Sequence, residues 1–180
     1  LGYIPKTKLL EVPSRHLGLS LRELQELDAL PEDVAALIEK HVDVDRLLEA
    51  CMRPRPALPA EEAVPTSAPG RKIAVARDEA FNFIYEENIR ALAAQGEVSF
   101  FSPLKDEPLP ECDLLYLPGG YPEFYLSELA AAERSRSSIA AYAAAGGRVL
   151  AEGGGMMYLC RDIRDEEGKA YPMCGVLDQE

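Results

Sequence analysis

The chain contains 180 residues, which is enough for one sizeable hydrophobic core or for one domain and part of another. Its 31 acidic and 19 basic residues give a net charge of −12, which argues against a dedicated nucleic-acid binder and against a protein held on an anionic membrane. No apolar run reaches the roughly 18 residues of a membrane-spanning helix, and no signal peptide is visible. We therefore expect a cytoplasmic protein without nucleic-acid or membrane partners.

The four cysteines are scattered along the chain, with no Cys-x-x-Cys pair; they are Cys51, Cys112, Cys160 and Cys174. A chain with a large core does not need disulfides, so we expect reduced thiols. A zinc site would need close pairs of ligands, and neither His16 nor His41 stands beside one. The sequence therefore predicts no metal site.

The first part of the chain, residues 1–52, combines an extended start with three helical patterns. The first helix begins with a Ser-x-x-Glu capping box at Ser20, and the second and third cover 31–41 and 43–52. Five prolines then fall within 53–70. Because proline lacks the N–H that helices and strand ladders need, this stretch is predicted to be an interdomain linker.

From residue 71 onward, short apolar runs alternate with helical patterns. Strands are predicted at 72–76, 98–101, 113–117 and 148–151, and helices at 81–93, at 126–145 in two pieces, and from 156. Such alternation produces a mostly parallel sheet with helices on both faces, and ligands bind at the carboxyl ends of its strands. The loops 77–82, 118–123 and 152–155 are therefore expected to meet at one edge.

The segment Ala151-Glu152-Gly153-Gly154-Gly155 lies between the last predicted strand and the last predicted helix. A tight strand-to-helix turn exposes its apex residue beside backbone N–H groups, which suits a nucleophile such as a cysteine of lowered pKa. The apex here is Gly153, which has no side chain. On spacing alone, a glycine-rich anion-binding turn is the simpler interpretation. No Lys-Ser/Thr pair follows Gly155, so the turn is not a nucleotide-binding P-loop.

Four motifs follow one another in this half of the chain. They are Arg77-Asp78-x-Ala80-Phe81-x-Phe83-x-Tyr85-x-x-Asn88, Phe100-Phe101-Ser102-Pro103-Leu104, Leu117-Pro118-Gly119-Gly120-Tyr121-Pro122-Glu123 and Ala151-Glu152-x-Gly154-Gly155-x-Met157-Tyr158-Leu159. In this order they resemble the amidotransferase domain of cobyrinic acid a,c-diamide synthases. Upstream, Leu1-Gly2-Tyr3-Ile4-Pro5 and Arg15-His16-Leu17-Gly18-Leu19 resemble the junction that follows the ATP-binding domain of that family.

The resemblance implies a class I glutamine amidotransferase fold, which is flavodoxin-like. It implies that 1–52 is the end of an ATP-binding synthetase domain, that 53–70 is the linker, and that 71–180 is an amidotransferase domain incomplete at its C-terminus. The parent protein would be a glutamine-hydrolysing carbon–nitrogen ligase of cobalamin biosynthesis. It would use ATP and Mg²⁺ to amidate the a and c carboxylates of cobyrinate, a tetrapyrrole, with ammonia from glutamine.

The resemblance also implies a role for each residue of the elbow. Gly153 stands where the family has its cysteine nucleophile, and the N–H groups of Gly120 and Gly154 would form the oxyanion hole. The predicted substrate-binding residues are Tyr121 and Glu123, at the glutamine pocket or its rim, and Glu152, which would orient the elbow. The simpler alternatives are turn glycines for Gly120 and Gly154, a helix start for Tyr121 and Glu123, and a helix cap for Glu152.

Three departures from the family pattern define the expected activity. Gly153 replaces the nucleophile, the histidine of the family lies further on than this chain extends, and no P-loop is present. Cys160 is no substitute, because it lies about two helical turns past the elbow. We therefore expect this chain neither to hydrolyse glutamine nor to bind ATP, and to carry no cofactor of its own. Asp78, Asn82 and Tyr85 share the edge and are candidates to face the synthetase module.

Two alternatives stay open. The first is a related synthase that amidates hydrogenobyrinate or nickel-sirohydrochlorin. The second is a noncatalytic pseudo-amidotransferase that binds a partner, which Gly153 supports. A homodimer, and an engineered rather than a natural Gly153, stay open as well.

Overall fold

The computed structural model describes residues 1–8, 30–53 and 70–180. The predicted capping box at Ser20, the segment around His16 and nearly all of the predicted linker lie outside these ranges. The chain divides into two compact units, residues 1–62 and 63–180.

The first unit contains two helices in its described part, α1 (Leu30–His41) and α2 (Val44–Cys51). Both helices were predicted. Asp43 begins α2 as its N-cap, since its carboxylate accepts a hydrogen bond from the Arg46 N–H at 3.0 Å. Gly2 pairs with Val42 in an isolated antiparallel bridge. The start of the chain is thereby tied to the turn between the two helices.

The second unit is built on a four-stranded parallel sheet with the order β2-β1-β3-β4. Its strands are β1 (Lys72–Ala76), β2 (Glu97–Phe101), β3 (Leu114–Leu117) and β4 (Arg148–Ala151). In the register of the central strands, Ala74 lies opposite Leu115, and Leu115 lies opposite Val149. The two central strands carry the buried apolar runs, as a sheet covered on both faces requires.

Helices cover both faces of this sheet, which confirms the predicted α/β class. They are α3 (Glu86–Ala93), α4 (Leu126–Ala131), α5 (Glu133–Ala144) and α6 (Gly154–Leu159). On one face, Leu115 belongs to a fully buried cluster with Leu129 of α4, Ile139 of α5 and Tyr158 of α6. On the other face, Tyr116 packs with apolar side chains that include those of α3. No helix in the described ranges is both long enough and apolar enough to cross a bilayer.

The helix predicted from residue 81 is wrong at its start, because α3 begins only at Glu86. The segment before it is held in a loop by Asp78, whose carboxylate accepts hydrogen bonds from the N–H groups of Ala80 and Phe81. The Phe81 ring is fully buried and lies 5.2 Å from the ring of Tyr158. Phe81 therefore contributes to the core from a loop and not from a helix face.

The last part of the chain contains a hairpin that the sequence analysis did not predict. Helix α6 ends at Leu159, and a short antiparallel hairpin follows, formed by β5 (Asp162–Arg164) and β6 (Ala170–Pro172). The returning chain supplies partners for the carbonyl groups at the helix end, since the Cys174 N–H donates to Tyr158 O at 3.0 Å. These long-range bonds replace a further helical turn.

Candidate functional site

Three loops meet at the carboxyl edge of the sheet, as the strand order predicts. The loop after β1 contacts the loop after β3, where the Phe83 N–H donates to Gly119 O at 3.0 Å. The loop after β4 is tied to β3, because the Glu152 N–H donates to Leu117 O at 3.0 Å. A Cβ at Gly153 would meet Gly119 Cα at 3.9 Å. The apex of the elbow therefore lies beside the glycine pair that follows β3.

Gly153 has an exposed, left-handed backbone conformation, with φ +47° and ψ −112°. The turn is closed by the Gly155 N–H, which donates to Glu152 O at 2.8 Å, and by the Met157 N–H, which donates to Gly153 O at 3.1 Å. Glycine adopts this conformation without strain, whereas a residue with a side chain does not. The space around a Cβ is nevertheless open, so a side chain at this position would be strained but not crowded.

Gly154 and Gly120, the predicted oxyanion-hole pair, lie against each other. A Cβ on Gly154 would stand 2.6 Å from Pro122 Cδ and 3.2 Å from Gly120 N, and one on Gly120 would collide with Ala80 O. As the first residue of α6, Gly154 has an N–H that the helix itself does not satisfy. Close backbone approach is enough to require both glycines, so their oxyanion role stays a prediction.

Tyr121 is buried in an aromatic stack beside these glycines. Its ring lies 5.1 Å from Phe83, edge to face, and 5.3 Å from Phe124, which stacks on it. Glu123 is exposed, within the short 3₁₀ turn Pro122–Phe124. The glutamine-pocket roles of Tyr121 and Glu123 stay predictions. Sequence reasoning missed Phe124, whose ring is 40 % exposed at this edge.

Glu152 makes a contact that the sequence analysis did not anticipate. The hydroxyl of Tyr116 donates a hydrogen bond of 2.6 Å to Glu152 Oε2. Glu152 does not cap α6, since the N-cap is Gly153 and no side chain accepts a capping hydrogen bond there. Burial raises the pKa of Tyr116 to about 12, and the Glu152 carboxylate acts in the same direction, so the phenol stays a neutral donor at pH 7.

Asp78 joins the loops that follow β1 and β2. Its Oδ1 accepts hydrogen bonds from the N–H groups of Ala80 and Phe81 at 3.0 and 3.2 Å. Its Oδ2 accepts from the Ser102 hydroxyl at 3.0 Å and from the Leu104 N–H at 2.9 Å. Burial raises the pKa of Asp78, although these hydrogen bonds act in the opposite direction. Asp78 therefore has a structural task at the edge.

Asn82 and Tyr85 also lie at this edge, after Asp78. The Asn82 Oδ1 atom is buried and has no hydrogen-bond partner among the described residues. The side chain of Tyr85 is 69 % exposed, at the start of α3. Their predicted contact with a synthetase module stays a prediction.

Cys160 is placed away from the elbow, at the far end of α6. It is 5 % exposed, and its thiol lies 3.6 Å from Met156 O, in the preceding turn. Burial raises the pKa of the Cys160 thiol, which disfavours the nucleophilic thiolate. The four cysteines of the chain are unpaired. Within the described ranges, no three His, Cys, Asp or Glu side chains are grouped so as to hold a metal ion.

We expect Gly153→Cys to fold and to be no more stable than the unmodified chain. The change places a side chain at φ +47°, which costs about 1 to 3 kcal/mol. Urea denaturation of both proteins measures the difference. Gly146→Ala is the matched control for backbone strain alone. Gly146 has φ +83°, and nothing lies within 4 Å of a Cβ built there. It precedes β4, away from the elbow. A clear rise in the free energy of unfolding for Gly153→Cys would contradict the predicted strain.

Comparison with known proteins gives matches over the whole chain. This chain is 37 % identical over 179 residues to the cobyrinate a,c-diamide synthase of Saccharolobus solfataricus. The alignment covers 99 % of this chain and 41 % of that protein. The chain is 43 % identical over 184 residues to the hydrogenobyrinate a,c-diamide synthase of Brucella anthropi. This alignment covers 100 % of this chain and 42 % of that protein. The cobyrinate a,c-diamide synthase of Caldanaerobacter subterraneus subsp. tengcongensis is 42 % identical to this chain over 182 residues. This alignment covers 99 % of this chain and 40 % of that protein.

The chain thus spans about two fifths of the length of these curated relatives. Residues 72–180, which hold the whole parallel sheet and the elbow, match the model of the CobB/CobQ-like glutamine amidotransferase domain. Because this match extends over more than half of the chain, the protein belongs to the family of CobB/CobQ-like glutamine amidotransferase domains.

Proposed function

We propose that this chain is part of a glutamine-dependent a,c-diamide synthase, and that Gly153 occupies the nucleophile position of its amidotransferase domain. The observation that carries the proposal is the elbow itself. In a chain of this family, residue 153 has a left-handed conformation just after the parallel edge strand β4, beside Gly119 and next to a glycine N–H. That is the geometry in which strand-to-helix elbows present a nucleophile.

The proposed substrates are glutamine, as nitrogen donor, and a tetrapyrrole with free side-chain carboxylates, as acceptor. The names of the relatives support cobyrinate or hydrogenobyrinate as that acceptor. Activation of the carboxylates by ATP and Mg²⁺ is assigned to a part of the longer protein outside this chain. Residues 1–52 are proposed as the end of that ATP-binding domain, and 53–70 as the linker. The four unpaired cysteines support the proposed cytoplasmic location.

The elbow residues define what the amidotransferase domain contributes. A nucleophile at position 153 would attack the glutamine carboxamide, and the N–H groups of Gly120 and Gly154 would bind the oxyanion that forms. Gly153 supplies no nucleophile. The proposed consequence is a domain that holds the amide of glutamine without cleaving it, so that amidation by the longer protein depends on free ammonia.

The test is an amidation assay on the protein that joins this segment to its ATP-binding module, with either glutamine or an ammonium salt as nitrogen source. We expect the Gly153 form to use ammonium alone. Gly153→Cys is expected to gain glutamine-dependent amidation at least about 10³-fold above background, because nucleophile substitutions change rates by this much or more. Gly153→Ala is the control, since it introduces the backbone strain without a thiol.

The second candidate is a noncatalytic binding module, which the missing side chain at Gly153 favours. The same assay separates the two. Amidation with ammonium supports the synthase, whereas failure with both nitrogen sources, in the Gly153 and the Gly153→Cys forms, contradicts it and favours the binding module.

A further inference from the structure

Glu152, the residue before the elbow apex, binds β3 through its N–H and its carboxylate, and it binds the first turn of α6 through its carbonyl oxygen. Its N–H donates to Leu117 O at 3.0 Å, and its carbonyl oxygen accepts from the Gly155 N–H at 2.8 Å. Its carboxylate accepts from the Tyr116 hydroxyl at 2.6 Å. Two consecutive residues of β3, Tyr116 and Leu117, therefore fix both the backbone and the side chain that lead into position 153.

The direction of the Glu152 side chain follows from the sheet register. Tyr116 lies opposite Leu150 in the β3–β4 ladder. Because side chains alternate between the faces of a strand, the residue two positions after Leu150 is directed to the same face as Tyr116. That face carries α3, whereas the cluster formed with α4, α5 and α6 lies on the opposite face. The Glu152 carboxylate is thereby directed to the α3 face.

Tyr116 is itself a rigid anchor. Its side chain is 2 % exposed and packs in a cluster that includes Val75 of β1 and Ile89 of α3. Asn88 on α3 and Tyr85 just before it also lie near this phenol and influence its protonation. Burial raises the pKa of Tyr116 to about 12, so the donor does not ionise at pH 7.

We propose that Tyr116 is a positioning residue of the elbow, which holds the Glu152 carboxylate on the α3 face and so keeps its negative charge away from the side chain of residue 153. This inference rests on the proposed function, in which residue 153 is the nucleophile position. The physical reason is that a neighbouring carboxylate favours the protonated form of a thiol, and the thiolate is the nucleophile. Without the hydrogen bond from Tyr116, the Glu152 side chain can turn toward the side chain of residue 153.

The test measures a thiol introduced at position 153 by Gly153→Cys in the 180-residue chain. The rate of its alkylation by iodoacetamide is followed between about pH 5 and pH 10, with mass spectrometry of the peptide that contains the position. Adding Tyr116→Phe is expected to raise the apparent pKa of this thiol by roughly half a unit to one unit, and to slow its alkylation at pH 7 about three- to tenfold.

Two controls make this result specific to the Glu152 contact. Tyr142→Phe also removes a tyrosine hydroxyl that bonds to β4, because the Tyr142 hydroxyl donates to Arg148 O at 3.2 Å. This contact lies at the opposite end of the strand, so Tyr142→Phe is expected to leave the pKa and the alkylation rate of the thiol unchanged. In a Glu152→Gln background there is no carboxylate to release. Tyr116→Phe is therefore expected to have no effect on the thiol there.

An unchanged alkylation profile in Tyr116→Phe overturns the proposal. If circular dichroism shows that Tyr116→Phe does not fold, Glu152→Asp replaces it, since the shorter carboxylate cannot reach Tyr116 and the same rise in thiol pKa is expected. Alkylation needs neither glutamine nor ATP. If Tyr116→Phe raises the pKa of the thiol but the longer protein does not amidate, only the proposed function is contradicted. If the longer protein amidates but Tyr116→Phe leaves the pKa of the thiol unchanged, only the positioning role is contradicted.

Discussion

Gly155→Ala is expected to lower the free energy of unfolding by about 3 kcal/mol, more than a single methyl group usually costs. A Cβ at Gly155 would collide with Leu117 O and would stand 2.6 Å from Leu117 C and 2.7 Å from Pro118 O. All three are backbone atoms of a buried strand and of the turn that follows it, so no side chain can move aside. Helix α6 would have to shift away from β3.

Urea denaturation monitored by circular dichroism measures this loss. Gly119→Ala is the matched control at the same edge, because its nearest neighbour is a side-chain atom, Phe83 Cδ2 at 3.1 Å, which can move by a few tenths of an ångström. We expect Gly119→Ala to cost about 1 kcal/mol or less. If Gly155→Ala costs no more than Gly119→Ala, the close approach of α6 to β3 is not what requires glycine at 155.

Asp78→Ala is expected to lower the free energy of unfolding by about 3 kcal/mol. Asp78 accepts hydrogen bonds from the N–H groups of Ala80, Phe81 and Leu104 and from the Ser102 hydroxyl. Ala80 and Phe81 are fully buried, and a buried donor left without an acceptor costs about 1 to 3 kcal/mol. The loop that holds Phe81 under the sheet edge would loosen, and chemical denaturation measures the loss.

Asp78→Asn separates the loss of acceptors from the loss of charge. The asparagine keeps one oxygen that accepts from the N–H groups of Ala80 and Phe81, but its NH₂ group cannot accept from the Leu104 N–H. We therefore expect Asp78→Asn to lower the free energy of unfolding by about half as much as Asp78→Ala. The pH dependence gives a second readout. Because the folded-state pKa of Asp78 lies above its usual value of 3.8, the folded state binds the proton more tightly than the unfolded state does.

The contribution of Asp78 to stability therefore increases as pH falls through the window between the raised folded pKa and 3.8, and it is smallest at neutral pH. Asp78→Asn has no such titration. The unmodified chain is expected to gain stability relative to Asp78→Asn as pH falls through this window. The opposite trend would mean that the four hydrogen bonds outweigh burial at this carboxylate.

Most of the α/β unit was predictable, because its signals are local. The buried runs at β1 and β3 are continuous apolar stretches, as strands covered on both faces require. The glycine turns after β3 and β4 mark the ends of strands, and the parallel arrangement brings those ends to one edge. The two helices in the described part of the first unit were predicted to within one or two residues, since a proline and an N-cap aspartate mark their starts.

The errors have a common cause, which is competition for the backbone groups that a helix would use. The helix pattern that starts at Phe81 is overridden because Asp78 and the bridge between Phe83 and Gly119 take the backbone groups that a helix would use. Helix α6 ends at Leu159 because the chain returning after β6 bonds to its last carbonyls. Asp78 lies only two to three residues before the N–H groups that it binds, whereas Gly119 and the returning chain lie outside the few residues over which a periodic pattern is visible.

The sequence by itself determined the alternation of strands and helices, the edge at which the loops meet, the absence of a side chain at residue 153 and the family to which the chain belongs. Each of these depends on residue type and spacing alone. Only the tertiary structure decided that Gly153 has a left-handed backbone, that Gly155 lies against the backbone of β3, and that Tyr116 holds the Glu152 carboxylate. The last two features depend on contacts between segments far apart in sequence, 36 residues in the case of Tyr116 and Glu152, which the packing of the sheet against its helices sets.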